Sequence, residues 1–301
     1  MVSELMKRRI LTEGEASEAL MQSSSVDSMS DIMFFHSIMC QVGMPRSKVK
    51  GDRFERVCGD VGILISAGEL WTGKKFEQQI VPYGSLPRLI FAWMNTYALY
   101  HKSPEIPVGD SMSEFLALLG KPRTGPAIKA LKIQMMALAA CDIRLGWTKG
   151  TDRNTYRGQP IERFTAWSSE KAAEGQKALW PGTLRLSDQY YDTLISQAVP
   201  LNVKALSSLR GSSLAMDIYV MLSERLHRIG SRPVSVHWKN LRDQFGQEYA
   251  GAEANKDFRK TFLPALKKVL AVYPEARVKP VTGGVLLMSS PPPVPYRSVG
   301  N

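Results

Sequence analysis

The stretch Ser212–Pro274 constrains the fold more than any other part of the chain. In its first segment Leu214, Ile218, Met221, Leu222, Leu226 and Ile229 recur at intervals of three and four, the spacing of one helix face. Ser212 or Ser213 is placed to cap that helix and Gly230 to end it. Val234 and Val236 alternate with polar neighbours over Arg232–His237, which predicts a short strand. A short helix over Lys239–Phe245 stops at Gly246. A basic amphipathic helix over Asp257–Val272 then turns Phe258, Phe262, Leu266, Val269 and Leu270 inward. Beyond Pro274, Ala276–Val281 and Val285–Ser289 flank a Gly283-Gly284 turn. Helix, strand, helix, turn, helix, hairpin is the order of a winged helix, whose last helix can enter a DNA major groove.

The same order is expected earlier. Val61–Ser66 reads as a strand and Glu77–Val81 as a second. Ser85-Leu86-Pro87 opens a helix with Ser85 as cap, burying Leu89, Ile90, Trp93, Met94, Tyr97 and Ala98. A strand over Glu105–Val108, a helix over Met112–Leu119 ending at Gly120, and a helix over Pro126–Ala140 follow. Ile143–Trp147 and Ile161–Trp167 are expected to form the wing, joined by a loop holding Lys149, Arg153 and Arg157. The expected fold class is therefore α+β, helix-rich, with two tandem winged-helix domains at 61–167 and 182–294. Residues 168–181, polar with a WPG turn, read as the linker, and 295–301 as a tail. In the second unit Gly182–Leu186, a helix opening at Ser187, Val199–Asn202 and Val203–Leu209 precede the main helix. Residues 1–60 carry only a weak apolar pattern, an SSS tract and the basic run Arg46–Arg56. Their composition favours a flexible arm, the alternative being that part of it docks on the body. Met44 opens MPRSKVKGDR and is an alternative start.

Composition narrows the function. At 301 residues, 44% hydrophobic and 22% charged, the chain is globular and long enough for two domains. A net charge of +11 favours an acidic partner, nucleic acid or an anionic surface. Cys40, Cys58 and Cys141 are odd in number and lack C-x-x-C spacing, which points to a reducing compartment and away from zinc. With no apolar run near the ~20 residues of a membrane span and no secretory h-region after MVSELMKRRI, the expected location is cytoplasmic, with no membrane partner.

Several blocks carry a resemblance to a known family. YGSLPRLIFAWMNTYALYHKSPEIPVGDSMSEFLALLG is similar to the N-terminal half of the plasmid RepA-type replication initiators. VPLNVKALSSLRGSSLAMDIYVML, QFGQEY, DFRKTFLPALKKVLAVYPEARV and SSPPPVP resemble the C-terminal half, in the family's order. The resemblance, from about Tyr83 to Val294, implies two winged-helix domains that bind iterons, the short duplex repeats of a plasmid origin, and open replication there. It also implies recruitment of host replication proteins and a homodimer formed through the first domain. Where the family tends to carry arginines after a Gln-Met pair in the third helix, this chain has Met136 and Ala137 after Gln134-Met135, a departure that bears on DNA contact by that helix.

Charge marks the candidate DNA-binding residues. Lys256–Lys279 holds seven Lys/Arg against Asp257 and Glu275, a net of 7 − 2 = +5: Lys256, Arg259, Lys260, Lys267, Lys268, Arg277 and Lys279. Lys121–Arg163 holds nine against three acids, 9 − 3 = +6, with Lys121, Arg123, Lys129, Lys132, Arg153 and Arg157 as candidates. A solvated helix face is the bland reading of such runs; the winged-helix order tips the balance toward DNA. Tyr190-Tyr191 could serve a metal-dependent nicking initiator, but that chemistry needs clustered ligands, and His36, His101, His227 and His237 form no H-x-H pair. There is no G-x-x-x-x-G-K-[ST] phosphate loop. The expectation is a non-enzymatic DNA binder without cofactor or metal, a transcription repressor of the same fold being the nearest alternative.

Overall fold

The computed structural model describes residues 31–71, 73–108, 116–117, 119, 123–149, 151–168 and 179–295; at 149, 154, 156–157, 164–168 and 179–181 the description is of backbone only. In chain order the elements are β1 (Ile32–His36), α1 (Ser37–Gln41), β2 (Arg53–Cys58), β3 (Val61–Ser66), β4 (Glu69–Trp71), β5 (Phe76–Gln78), α2 (Ser85–His101), β6 (Glu105–Pro107) and α3 (Gly125–Ala140). There follow β7 (Asp142–Lys149), β8 (Asp152–Gly158), β9 (Ile161–Ser168), β10 (Leu179–Leu186), α4 (Asp188–Gln197), β11 (Ala198–Asn202) and α5 (Val203–Ser208). The chain closes with α6 (Ser213–Arg225), β12 (Val234–His237), α7 (Trp238–Phe245), α8 (Ala254–Val272), β13 (Val278–Val281) and β14 (Gly284–Leu287). The class is α+β and helix-rich.

Two three-stranded antiparallel sheets share one plan. In the C-terminal unit the order is β12-β14-β13, and in the N-terminal unit β6-β10-β9. In each, the strand after the first long helix pairs with the second strand of a hairpin that follows the last helix. Gly284 lets β14 close on β12, because a Cβ there would meet the Val236 carbonyl oxygen at 2.0 Å. The expected helix over Met112–Leu119 and its Gly120 stop lie almost wholly outside the described residues.

Three expectations need correction. The strands at Ile143–Trp147 and Ile161–Trp167 exist, yet they do not pair: β7 joins the sheet β2-β3-β7-β8, whereas β9 pairs with β10. The expected loop with Arg153 and Arg157 is itself a strand, β8. The expected linker 168–181 is the connection of the β9–β10 hairpin, in which Ser168 faces Leu179 and Trp167 faces Trp180; residues 169–178 lie outside the described part. Hence β10, assigned to the second unit, completes the sheet of the first.

Of the arm expected over 1–60, residues 1–30 lie outside the described part, and 31–60 follow the docking alternative and belong to the body. β1 pairs antiparallel with β11 over five residues, and Phe34, Phe35, Ile38, Met39, Cys40, Val42 and Met44 are buried. The apolar alternation in IMFFH is short, but Thr96 Oγ1 accepts the Phe34 amide (2.9 Å) and fixes β1 on α2. Smaller shifts follow from capping. Ser85 is the first residue of α2 behind Gly84, not its cap; Thr124, Ser187, Asn202 and Ser212 cap α3, α4, α5 and α6 through their side chains. The second early strand is β5, a hairpin partner of β4, and stops short of Val81.

Candidate nucleic-acid interface

α8 packs its Phe258, Phe262, Ala265, Leu266 and Val269 stripe into the core. The opposite side carries Lys256, Lys260 and Lys267 at intervals of four and seven, one stripe of a 3.6-residue helix, with Arg259 and Lys268 on its flanks. All five are exposed. Lys256 pairs with Glu253 (2.7 Å) and Lys260 with Asp257 (3.0 Å). Both pairs are more than half exposed, where such contacts contribute at most about 1 kcal/mol, so the ammonium groups can be handed to phosphate at little cost. Among the described residues Lys267 and Lys268 have no acidic partner.

The helix begins at Ala254, one turn earlier than expected, after Gly251 takes the left-handed conformation at φ +88°. Lys256 is therefore in the first turn and Arg259 in the second. The Arg259 guanidinium lies 5.4 Å from the centroid of the Trp238 ring, a cation–π contact. Trp238 in turn donates its indole N–H to the Thr282 carbonyl (3.2 Å) in the β13–β14 turn. Arg259 is thus held between α8, the start of α7 and the hairpin. Arg277 and Lys279 are exposed at and beside β13. The C-terminal set converges on one helix and its hairpin.

The N-terminal set does not converge. Arg123 and Lys129 are exposed and Lys132 half-buried, just before or on α3. Arg153 is exposed on β8, where the backbone of Arg157 pairs opposite Arg144; this sheet is separate from that of β9. Lys121 and the side chain of Arg157 lie outside the described part. Gln134 is structural, its Oε1 accepting the Tyr83 amide at 2.8 Å. The last turn of α3 is covered by this chain itself: Ala137, Leu138, Ala139 and Ala140 are buried, with α2, β4 and β9 against the helix.

The tyrosine pair gives no nucleophile site at Tyr190. Its ring is 1% exposed and stacks near His36 and Phe91, and its hydroxyl donates to Asn95 Oδ1 at 3.1 Å. Tyr191 is half-buried, and desolvation, then Asp192, raises its pKa, which disfavours the phenolate a nucleophile needs.

Sequence reading missed the charged residues inside. Arg88 on α2 and Asp217 on α6 form a bidentate pair, Nε–Oδ1 2.5 Å and Nη2–Oδ2 2.7 Å. The other guanidinium protons go to the carbonyls of Gly84 (2.6 Å), Pro45 (3.1 Å) and Met44 (2.7 Å), so all five donors are used. Gly43 leaves room for the carboxylate: a Cβ there would come within 2.8 Å of Asp217 Oδ2.

A family model described as "Plasmid encoded RepA protein" matches residues 81–239, just over half of the chain. Two crystal structures of domains 2 and 3 of RctB are similar. The selenomethionine derivative has a TM-score of 0.54 at 11% identity, over 84% of this chain and 98% of that one. The second has a TM-score of 0.50 at 14% identity, over 83% and 94%. At such identities the likeness is one of fold. A comparison with curated proteins finds no match. The matched span runs from the approach to α2 through the Arg88–Asp217 pair into α7, and by that match the chain belongs to the family of plasmid-encoded RepA proteins.

Proposed function

We propose that this protein initiates plasmid replication by binding repeated duplex DNA at the origin. The observation that carries the reading is the exposed lysine stripe of α8, backed by Arg259 and bordered by the β13–β14 hairpin. Family membership supports the plasmid setting. The C-terminal element order and the sheet plan that both units share support reading them as tandem winged helices. α8 enters a major groove, while Arg277 and Lys279 meet phosphate, contacts that position the protein without specifying sequence. The first unit adds Arg123, Lys129 and Lys132 along the same duplex. The chain performs no catalytic step and takes no cofactor: bending a duplex stores energy that weakens adjacent pairing, and recruited host replication proteins do the chemistry. A cytoplasmic homodimer formed through the first unit completes the proposal; Ile133, 41% exposed, and half-buried Met136 offer it apolar surface on α3.

A nuclease-protection footprint on DNA flanking the reading frame tests this directly. Protection of direct repeats beside an AT-rich stretch is the expected result. Equal affinity for repeats and random duplex would overturn the reading, protection of a promoter without repeats would favour a repressor, and metal-dependent relaxation of supercoiled origin DNA would indicate nicking. With roughly 6–10 phosphate contacts the log–log salt slope should approach −0.9 per contact.

A further inference from the structure

Three arginines and two carboxylates meet beneath the turn between α7 and α8. Arg88 and Asp217 form one end. At the other, Glu248 accepts a hydrogen bond from Arg46 and lies 3.6 Å from Nη2 of Arg56. Arg56 is 2% exposed, and its Nη1 donates to the Gly43 carbonyl at 3.2 Å. Two neighbours of Glu248 grip the same N-terminal segment: Gln247 Nε2 donates to the Val57 carbonyl (3.1 Å) and Gln244 Nε2 to that of Gln41 (2.7 Å). On its other side the turn holds the lysine-bearing helix. The Tyr249 hydroxyl bonds Thr261 Oγ1 (2.9 Å), its ring lies 5.7 Å from that of Phe258, and a Cβ on Gly246 would meet Phe258 at 2.5 Å. Burial pulls the Arg56 guanidinium down to about 10, still charged at neutral pH, and the Nε of Arg46 and of Arg56 are buried without a hydrogen-bond partner. Leaving such cations without their carboxylate is costly, while solvent at half-exposed Glu248 screens the pair.

We propose that Glu248 is a positioning residue for DNA recognition: clamped by Arg46 and Arg56, it fixes the angle of α8 relative to the first unit, and so the spacing at which the two basic faces meet one duplex. The chain of contact is continuous, from α8 through Tyr249 and Glu248 to residues 43–46, and from those carbonyls through Arg88 to α2. The inference rests on the DNA-binding reading above. Glu248, 48% exposed, can be neutralised without opening the core.

The test uses the full chain as wild type, E248Q, R46Q and the charge-conserving E248D. Binding is measured on the protected repeat and on versions with about 2 or 5 base pairs inserted between the segments protected by each unit; about 5 places the faces on opposite sides of the duplex. Wild type and E248D should lose about tenfold or more on the longer insertion, and E248Q and R46Q less than about threefold, with random-duplex affinity unchanged. An equal penalty in all four proteins overturns the proposal. So does a wild type indifferent to the insertion, or a fall in thermal midpoint of the neutralised variants with the spacing profile intact. Absence of any wild-type protection would instead defeat the DNA-binding reading itself.

Discussion

Arg88 and Asp217 place opposite charges where water scarcely reaches, at 2% and 6% side-chain exposure. Removing one partner strands the other. Asp217→Asn is expected to cost about 3–5 kcal/mol in urea unfolding, whereas a matched apolar pair at both positions should cost far less. The pair was hidden in sequence because each charge sits in an apolar helical run, and a charge on a helix defaults to the solvated face. Arg88 in fact shares the stripe of Phe91, Ala92 and Asn95, all buried. His36 supplies a second residue-level prediction. Burial lowers its pKa from 6.5 to about 4, so between those values the unfolded chain binds a proton that the folded chain does not. The stability it contributes is complete above about pH 6.5 and lost as pH falls toward 4, about 3 kcal/mol in all. In denaturation series at pH 7, 5.5 and 4.5, His36→Phe should remove that part of the slope.

Among elements, α8 was the most legible: its apolar stripe and basic flank both lie where the spacing puts them. Its start was not, since Glu253 provides no side-chain cap and no Ser/Thr/Asp/Asn marks the boundary. Arg259, steadied by Trp238, keeps its outer edge for a guanine, and Arg259→Ala should lose about 1–3 kcal/mol on the cognate repeat with little change on random duplex. Lys267→Ala should weaken both equally and flatten the salt slope by about one contact. Equal losses for both variants on both DNAs in an anisotropy titration would remove α8 as the reader. The N-terminal hairpin was misjudged for another reason. Both β7 and β9 look like strands, but partner choice is a long-range matter of packing and register, and the polar run DRNTYRG hid the strand that takes up β7.

For the whole molecule, the buried apolar residues form one continuous cluster from Phe34 to Leu287. That is why residues 31–60 dock on the body, the alternative to a free arm, and why 168–181 joins two strands of one sheet: composition reports local polarity, whereas the core is closed by contacts across the chain. A chain begun at Met44 would lose Phe34, Phe35, Ile38 and Met39 from that cluster, at roughly 1.5–3 kcal/mol each, and leave β11 without β1. Such a protein is expected to melt well below the full chain or to be insoluble; an unfolding transition like that of the wild type in calorimetry would contradict this.

The β1–β11 pairing also dictates a timetable. Ile32 is matched to Asn202, so the strand that leaves the ribosome early must wait for its partner to be synthesised 170 residues later. At about 5–20 residues per second that is on the order of 10–30 s, during which Phe34 and Phe35 have no sheet to join. A nascent chain stalled before residue 198 should therefore hold its N-terminal segment open to protease, and one stalled well beyond residue 202 should close it.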